Sequence, residues 1–342
     1  LPRRGYTWAW LVAAAGLLAA VCVVSTAAGA ASLTPVEIVR DLLAGIGIGE
    51  SPLDERQHAV LVELRLPRVV MGAVVGGLLA VAGAGYQGVF RNPLADPYLL
   101  GAAGGAGLGA TLVIVYGQAL EAAAGSLIPV AAFAGALSGV MLAYALGSLA
   151  GGGGTATLLL AGVAVSSFLS AVQTLIQQFR IEDLRRIYSW VLGGLGRGGW
   201  DDLASIAPYA LVSAAVLIAS GYFLDMLALG DEKAASLGLN PTAVRLVVIT
   251  AASLATACAV SVSGLVGFVG IVVPHIVRRL VGSDYRRVVP MSLLLGGVFL
   301  VLIDIVARTV ISPGELPLGA VTAFLGAPFF LVILRATRNQ RI

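Results

Sequence analysis

The residue types that catalyse reactions, hold metals or grip nucleotides are scarce in this chain and badly spaced for any of those tasks. Histidine occurs only at His58 and His275, and cysteine only at Cys22 and Cys258. Four such residues so far apart form no cluster with ligand spacing, which argues against a zinc site supplied by the protein. Both cysteines lie in apolar runs and read as small packing residues rather than a disulfide or redox pair. No HExxH, no paired histidines and no two aspartates within one apolar run occur, so an enzyme embedded in a membrane would lack its nucleophile or metal constellation. The glycine-rich stretches invite a phosphate reading and fail it. Gly101, Gly105 and Gly109 recur every fourth position in a wholly apolar run with no strand before them, which suits close helix packing rather than a dinucleotide turn. Gly151 to Gly154 is followed by no Gly-Lys-Ser/Thr, so it is not a nucleotide loop. One ionisable group stands out: Asp304 is a carboxylate inside an apolar segment, a functional candidate by default, and Arg308 one turn away is its plainest structural partner.

The elements that must position these residues are overwhelmingly hydrophobic. Of 342 residues, 58% are apolar and 11% charged, against about 25% charged in an ordinary soluble domain, and the mean hydropathy is +0.96. This composition is that of an integral membrane protein. Uncharged runs cover residues 5–36, 69–90, 97–120, 122–179, 203–224, 246–277 and 316–334, and a helical span needs about 20 apolar residues. The 122–179 run is too long for one span and is broken by Gly151 to Gly154; residues 288–311 add another despite Asp304 and Arg308. The total is nine or ten. The first run is too long for the apolar core of a secretory signal and shows no cleavage logic, so it is expected to be retained. A net charge of +3, spread over many loops, excludes nucleic acid as a partner.

Between the spans lie a few polar excursions. Residues 31–68 contain an amphipathic piece, Thr34 to Leu43, with Thr34 as its cap, expected to lie on the membrane surface. Gly72, Gly76 and Gly77 would let a neighbouring helix approach the second span. Arg91-Asn92-Pro93-Leu94-Ala95-Asp96-Pro97 reads as a sharp turn, with Asp96 capping the next span. Residues 180–202 are edged by Trp190 and Trp200, which fit an interfacial belt. Gly264, Gly267, Gly270 and Pro274 argue that the 246–277 run folds back on itself. Residues 225–245 form the most compact charged island in the chain. There Asp231 would cap a short helix, Gly238 would end it in the left-handed conformation, and Asn240 with Pro241 would start another. Ala234, Ala235 and Leu237 would be left as a small apolar face wanting a partner; the plain alternative is a solvated loop between two spans. Lysine and arginine divide weakly between the two sides in a ten-span arrangement. The positive-inside rule by itself favours nine spans with an external N-terminus.

Several stretches together resemble one family, the membrane permease subunits of binding-protein-dependent ABC importers for vitamin B12, haem and ferric siderophores. They are Arg65-Leu-Pro67-Arg68; Tyr86-Gln87 through Arg91 to Pro97 and on to Gly101; Trp190-Val-Leu-Gly193-Gly194; and Leu227-Ala-Leu-Gly230 to Leu237-Gly238. Gly267-Phe-Val-Gly270-Ile-Val-Val-Pro274-His275, Asp304-Ile-Val-Ala-Arg308, Glu315-Leu-Pro317-Leu-Gly319 and Gly326-Ala-Pro328-Phe329 follow in the expected order. The resemblance implies an all-α polytopic membrane protein, one permease domain over 1–342 with ten transmembrane helices, an inverted internal repeat, and function as a homodimer. On this reading the spans lie near 8–30, 69–90, 97–117, 126–148, 156–178, 203–227, 244–263, 267–280, 288–310 and 317–335, with coupling helices over 231–243. It decides for ten spans, both termini cytoplasmic, in the cytoplasmic (inner) membrane.

The resemblance also implies roles. The island becomes the contact for a cytoplasmic ATPase, through Asp231, Glu232, Ala234, Ala235, Leu237 and Gly238. Arg65, Arg68 and Arg308 would sit on the outer face and receive acidic residues of a substrate-binding protein, a task suited to bidentate guanidinium; the alternative is snorkelling at helix ends. Asn92 and Leu94, with Gly154 and Thr155, match positions that narrow the cytoplasmic end of the path, although four glycines at 151–154 depart from a more structured turn. His275, after Pro274 and before Arg278, reads as a cap or surface histidine rather than a haem ligand. The implied partners are a second copy, two ATPase subunits carrying ATP and magnesium, a periplasmic or lipid-anchored binding protein, and a large metal chelate; no cofactor or metal is expected on the chain itself. An iron complex is the first expectation for the substrate and vitamin B12 the second. A secondary transporter or channel is the rival from another class, and only Asp304 offers it an embedded charge.

Overall fold

The computed structural model describes residues 4–28, 33–117, 124–150, 155–196, 198–311 and 314–338, and among them there are helices and turns but no strand. The order is α1 (Arg4–Ala27), α2 (Pro35–Gly45), α3 (Glu55–Ala59), a π-helical stretch Val60–Arg65, α4 (Leu66–Phe90), α5 (Ala102–Tyr116), α6 (Ala124–Leu149) and α7 (Thr155–Phe179). After a short 3-10 turn come α8 (Leu184–Val191), α9 (Trp200–Ala219), α10 (Gly221–Ala228), α11 (Asp231–Ser236), α12 (Pro241–Ser263), α13 (Val269–Val281), α14 (Tyr285–Thr309) and α15 (Leu318–Arg338). Among the described residues, seven helical stretches are long and apolar enough to cross a membrane, and two shorter apolar ones cover Ala102–Tyr116 and Leu318–Phe329.

Two helices form the axis. The most apolar windows of the 55–90 stretch and of α12 are 83% and 78% buried, against 17% for α1 and α7, so the first pair is sheathed by protein and the second faces outward. Burying a helix on every side requires that its neighbours come close, and small residues permit it. A Cβ at Gly76 would strike the Gly296 carbonyl where α4 crosses α14, and one at Gly296 would strike the carbonyl of Gly76. The four-residue ladder on α5 works the same way: Gly105 abuts Gly135 of α6, and Gly109 abuts Ala131. Packing, not phosphate binding, is what these glycines do.

α4 and α12 end alike. α4 stops at Arg91 in the left-handed region (φ 48°), an irregular turn follows, and the 15-residue α5 begins after Gly101 (φ 92°). α12 stops at Gly264 (φ 68°), an irregular turn through Phe268 (φ 67°) follows, and α13 has 13 residues. The fold-back expected within 246–277 therefore occurs, at Gly264. The two turns dock on each other. The Tyr98 hydroxyl donates to the Val266 carbonyl and accepts from the Val266 amide, both at 3.2 Å, and Gln87 Nε2 donates to the Gly270 carbonyl at 2.8 Å.

Local signals fared unevenly. Thr34 and Glu37 form the reciprocal cap of α2, whose outward side exposes Val36, Val39 and Ile46 while Ile38 and Asp41 are buried. Asn240 caps α12 by accepting from the Ala243 amide at 3.1 Å. Asp96, however, does not cap α5: its carboxylate accepts from the Tyr98 amide at 2.8 Å, closing the turn, and Gly101 occupies the cap position. Trp190 is not in an interfacial belt either. It is buried, whereas Trp200 is half exposed and donates from Nε1 to the Val62 carbonyl at 2.8 Å.

Candidate functional site

At one end of the bundle the three arginines expected to meet a partner are engaged within the chain. Arg68, near the start of α4, lies between two carboxylates. Its Nε donates to both Asp304 oxygens at 3.1 Å, its Nη2 to Asp304 at 2.8 Å and to Glu315 at 3.0 Å, and its Nη1 to Glu315 at 2.7 Å. Arg308 pairs with Asp304 at 3.2 Å and donates to the Ala28 carbonyl at 2.6 Å and to Ser25. Arg65 is buried and donates to the carbonyl of Thr26 at 2.8 Å. Arg308 and Arg65 together close the end of α1, whose last carbonyls have no helical partners of their own. Asp304 is thus a structural ion-pair centre: buried, it serves two guanidinium groups, which offsets part of its desolvation. Glu315, outside the helices and half exposed, is held below the usual carboxylate range by its hydrogen bond to Arg68.

At the opposite end of α4, the charged island folds as two helices joined by a tight turn. Gly230 (φ 106°) precedes α11 and Gly238 (φ 85°) follows it, positions that favour glycine because a Cβ would crowd the backbone. Asp231 does not cap α11, since Gly230 holds the cap position; the Asp231 carboxylate instead accepts from Arg245 Nη2 at 2.7 and 2.8 Å and from Arg91 Nη2. Arg245, and then Arg91, keep its carboxyl below the ordinary aspartate range. Of the expected apolar face, Leu237 is 61% exposed and Ala235 is exposed, but Ala234 is fully buried against its own chain. Glu232 is exposed.

The turn after α4 is stiffened from within. Asn92 Oδ1 accepts from the Leu94 amide at 3.0 Å, the Asn92 carbonyl accepts from Ala95 at 3.1 Å, and Leu94 points to the exterior. Thr155 opens α7, half buried; Gly154 lies outside the described residues, as does the rest of the 151–154 run. His275 is neither cap nor freely exposed. It sits half buried in α13, edge-on to Phe329 of α15 with ring centroids 5.9 Å apart. Among the described residues, no group of three or more His, Cys, Asp or Glu side chains could hold a metal ion.

Sequence reasoning missed three partnerships: Arg68 with Asp304, Arg68 with Glu315, and Arg91 with Asp231. Each joins residues more than a hundred positions apart, beyond the reach of helical periodicity. The only local signal was charge economy, because in so apolar a chain every carboxylate near a span needs a cation.

Comparison with known proteins decides the family. The model of the FecCD transport family matches residues 17–336. The chain belongs to that family. This FecCD permease is 41% identical over 281 residues to the cobalamin import system permease protein BtuC of Halobacterium salinarum, covering 82% of this chain and 74% of that one. It is 38% identical to the hemin transport system permease protein HmuU of Yersinia pestis (82% and 83% covered) and 40% identical to an ABC transporter permease, YvrB, of Bacillus subtilis (82% and 80%). A solved inward-facing structure of a metal-chelate type ABC transporter superposes with a TM-score of 0.82 at 29% identity, covering 95% of this chain and 98% of that one. FecCD proteins are transport permeases, and ATP hydrolysis in such systems belongs to separate subunits.

Proposed function

We propose that this FecCD chain is the permease of an importer for an iron complex, a ferric siderophore or haem, in the cytoplasmic membrane. Vitamin B12 is the second candidate, since relatives at similar identity are named for iron(3+)-citrate, hemin and cobalamin. Two copies form the path. Two cytoplasmic ATPases carrying ATP and magnesium drive it, and a periplasmic or lipid-anchored binding protein delivers the chelate; the chain itself holds no cofactor. Ten spans with both ends cytoplasmic extend the seven long helices by the short α5 and α13 and by α15. The matching ends of α4 and α12, each followed by an irregular turn and a short helix, support an inverted repeat.

The observation that carries the reading is α11, a short helix bounded by two left-handed glycines and pinned at Asp231, presenting Glu232, Ala235 and Leu237 outward. A chain without a nucleotide motif needs a rigid contact through which a motor can act. Asp231 and Gly238 set the shape of this one, and Ala234 supports it from beneath. At the outer face Arg65, Arg68 and Arg308 receive acidic residues of the binding protein, Arg68 by exchanging Glu315 for one of them, while Arg65 and Arg308 also brace the end of α1. Asn92 and Leu94, with Gly154 and Thr155, close the inner end. The test is reconstitution of the permease with its ATPase and binding protein in proteoliposomes, offering haemin, a ferric hydroxamate and vitamin B12 separately. ATP-dependent uptake of an iron complex is expected. Uptake without ATP would place the chain with secondary transporters, and uptake of vitamin B12 alone would replace the substrate.

A further inference from the structure

The carboxylate of Asp231 joins three parts of the chain: α11, of which it is the first residue; α12, through Arg245; and the 91–97 turn, through Arg91. We propose that this three-way contact is the joint that carries movement of α11 to the inner turn, with Arg91 as the transmitting side chain and Arg245 as its fixed support. The inference rests on the reading of α11 as the ATPase contact and of Asn92 and Leu94 as part of the inner closure.

Three observations support it. First, α11 and α12 behave as one body. Leu239 donates to the Ala234 carbonyl at 3.1 Å and Gly238 to that of Ala235 at 2.9 Å, Asn240 caps α12, and Arg245 grips both oxygens of Asp231. On the other side, Gly230 at φ 106° marks the bend between this body and α10. Second, the receiving end is also one body. The Asn92 amide donates to the Gln87 carbonyl at 3.2 Å, and Asn92 closes the turn through Leu94 and Ala95, so a pull on Arg91 is a pull on Asn92 and Leu94. Third, Arg91 is held in a conformation that few residues other than glycine adopt, φ 48°. A left-handed non-glycine residue is strained, because its Cβ crowds the backbone. A glycine there would end α4 without that strain, but it would have no side chain to reach Asp231.

Energy alone does not explain the contact. The side chains of Arg91 and Asp231 are 40% and 45% exposed, and exposed ion pairs contribute little to stability. What the contact supplies is geometry, since one carboxylate keeps two guanidinium groups from separate bodies together. The fold therefore survives its loss, which makes the joint testable.

The experiment needs no substrate. In a background with Cys22 and Cys258 replaced by alanine, Leu94→Cys is labelled with a membrane-impermeant maleimide in the permease–ATPase complex, with and without ATP and vanadate. Nucleotide is expected to change the labelling rate by roughly two- to fivefold, the factor that an exposed charge pair is worth in an equilibrium. Adding Arg91→Ala should leave ATPase association and ATP hydrolysis in place while abolishing the nucleotide response. Arg91→Lys should restore part of it, because the charge is kept and only the planar fork is lost. Should Arg91→Ala fail to fold, Arg91→Gln, which keeps a polar side chain without the charge, tests the same joint. A nucleotide response that survives Arg91→Ala or Arg91→Gln with the complex intact overturns the joint alone. If the unsubstituted permease fails to bind an ATPase, the functional reading falls and the joint with it.

Discussion

Asp304 shows how a charge is tolerated within a helix bundle. It is 1% exposed, yet Arg68 and Arg308 both reach it. Replacing it by asparagine leaves two partly buried guanidinium groups with one full carboxylate, Glu315, at the rim. Breaking a buried pair by removing one partner costs about 3–5 kcal/mol, and Asp304→Asn should lose stability on that order, read as a lowered unfolding midpoint in detergent. Glu315 carries one part of the pH dependence. Its pKa is lowered in the folded chain from an ordinary value of 4.5, so the folded state binds this proton less readily than the unfolded one. The stabilisation from its contact with Arg68 is therefore complete above that ordinary value and is lost as pH falls through the depressed one. Acid titration of the unfolding midpoint should show a slope below about pH 4.5 that Glu315→Gln reduces; an unchanged slope would remove Glu315 from the account.

Among the helices, contact between backbones decides the geometry. At Gly105 an added Cβ would meet the Gly135 carbonyl, whereas at Gly16 on α1 nothing lies within 4 Å. Gly105→Val should separate α5 from α6 and cost at least the roughly 1–3 kcal/mol typical of overpacking. Gly16→Ala should be neutral or slightly stabilising. Paired thermal unfolding curves distinguish the two, and equal effects would refute the close-packing assignment. This part of the architecture was legible in the residues themselves. The recurrence of Gly101, Gly105 and Gly109 marked a packing face, and Gly264 marked a fold-back, because both depend on local sterics. What could not be read was which partner a polar side chain would choose. Asp96 and Asp231 were each expected to cap the helix that follows, and in both places a left-handed glycine, Gly101 or Gly230, took that position and released the carboxylate for other work. Trp190 failed for a related reason: a tryptophan beside polar residues suits either an interface or a core, and only the path of the chain decides.

For the whole molecule, orientation is the reading with the most consequences, because the charge count favoured an arrangement with one span fewer. In the proposed ten-span arrangement α11 lies on the cytoplasmic side, together with the 91–97 turn that Asp231 contacts. A single cysteine at exposed Glu232 should therefore be labelled by an impermeant reagent only when the cytoplasmic face is open, as in inverted vesicles. Labelling of intact cells would reverse the topology and remove the ATPase from α11.

The helical rod that begins at Glu55 and ends at Phe90 runs 36 residues without leaving the helix family, about 54 Å at 1.5 Å per residue. That exceeds not only the roughly 30 Å hydrocarbon layer but the roughly 40–45 Å of the whole bilayer with its headgroups. Arg65 and Arg68 lie towards one tip and Arg91 caps the other. Near its middle the rod is held by the tight crossing at Gly76 and Gly296. The six-residue π-helical stretch at Val60–Arg65 is where its hydrogen-bond ladder departs from the α pattern, at the tip that carries Arg65 and Arg68.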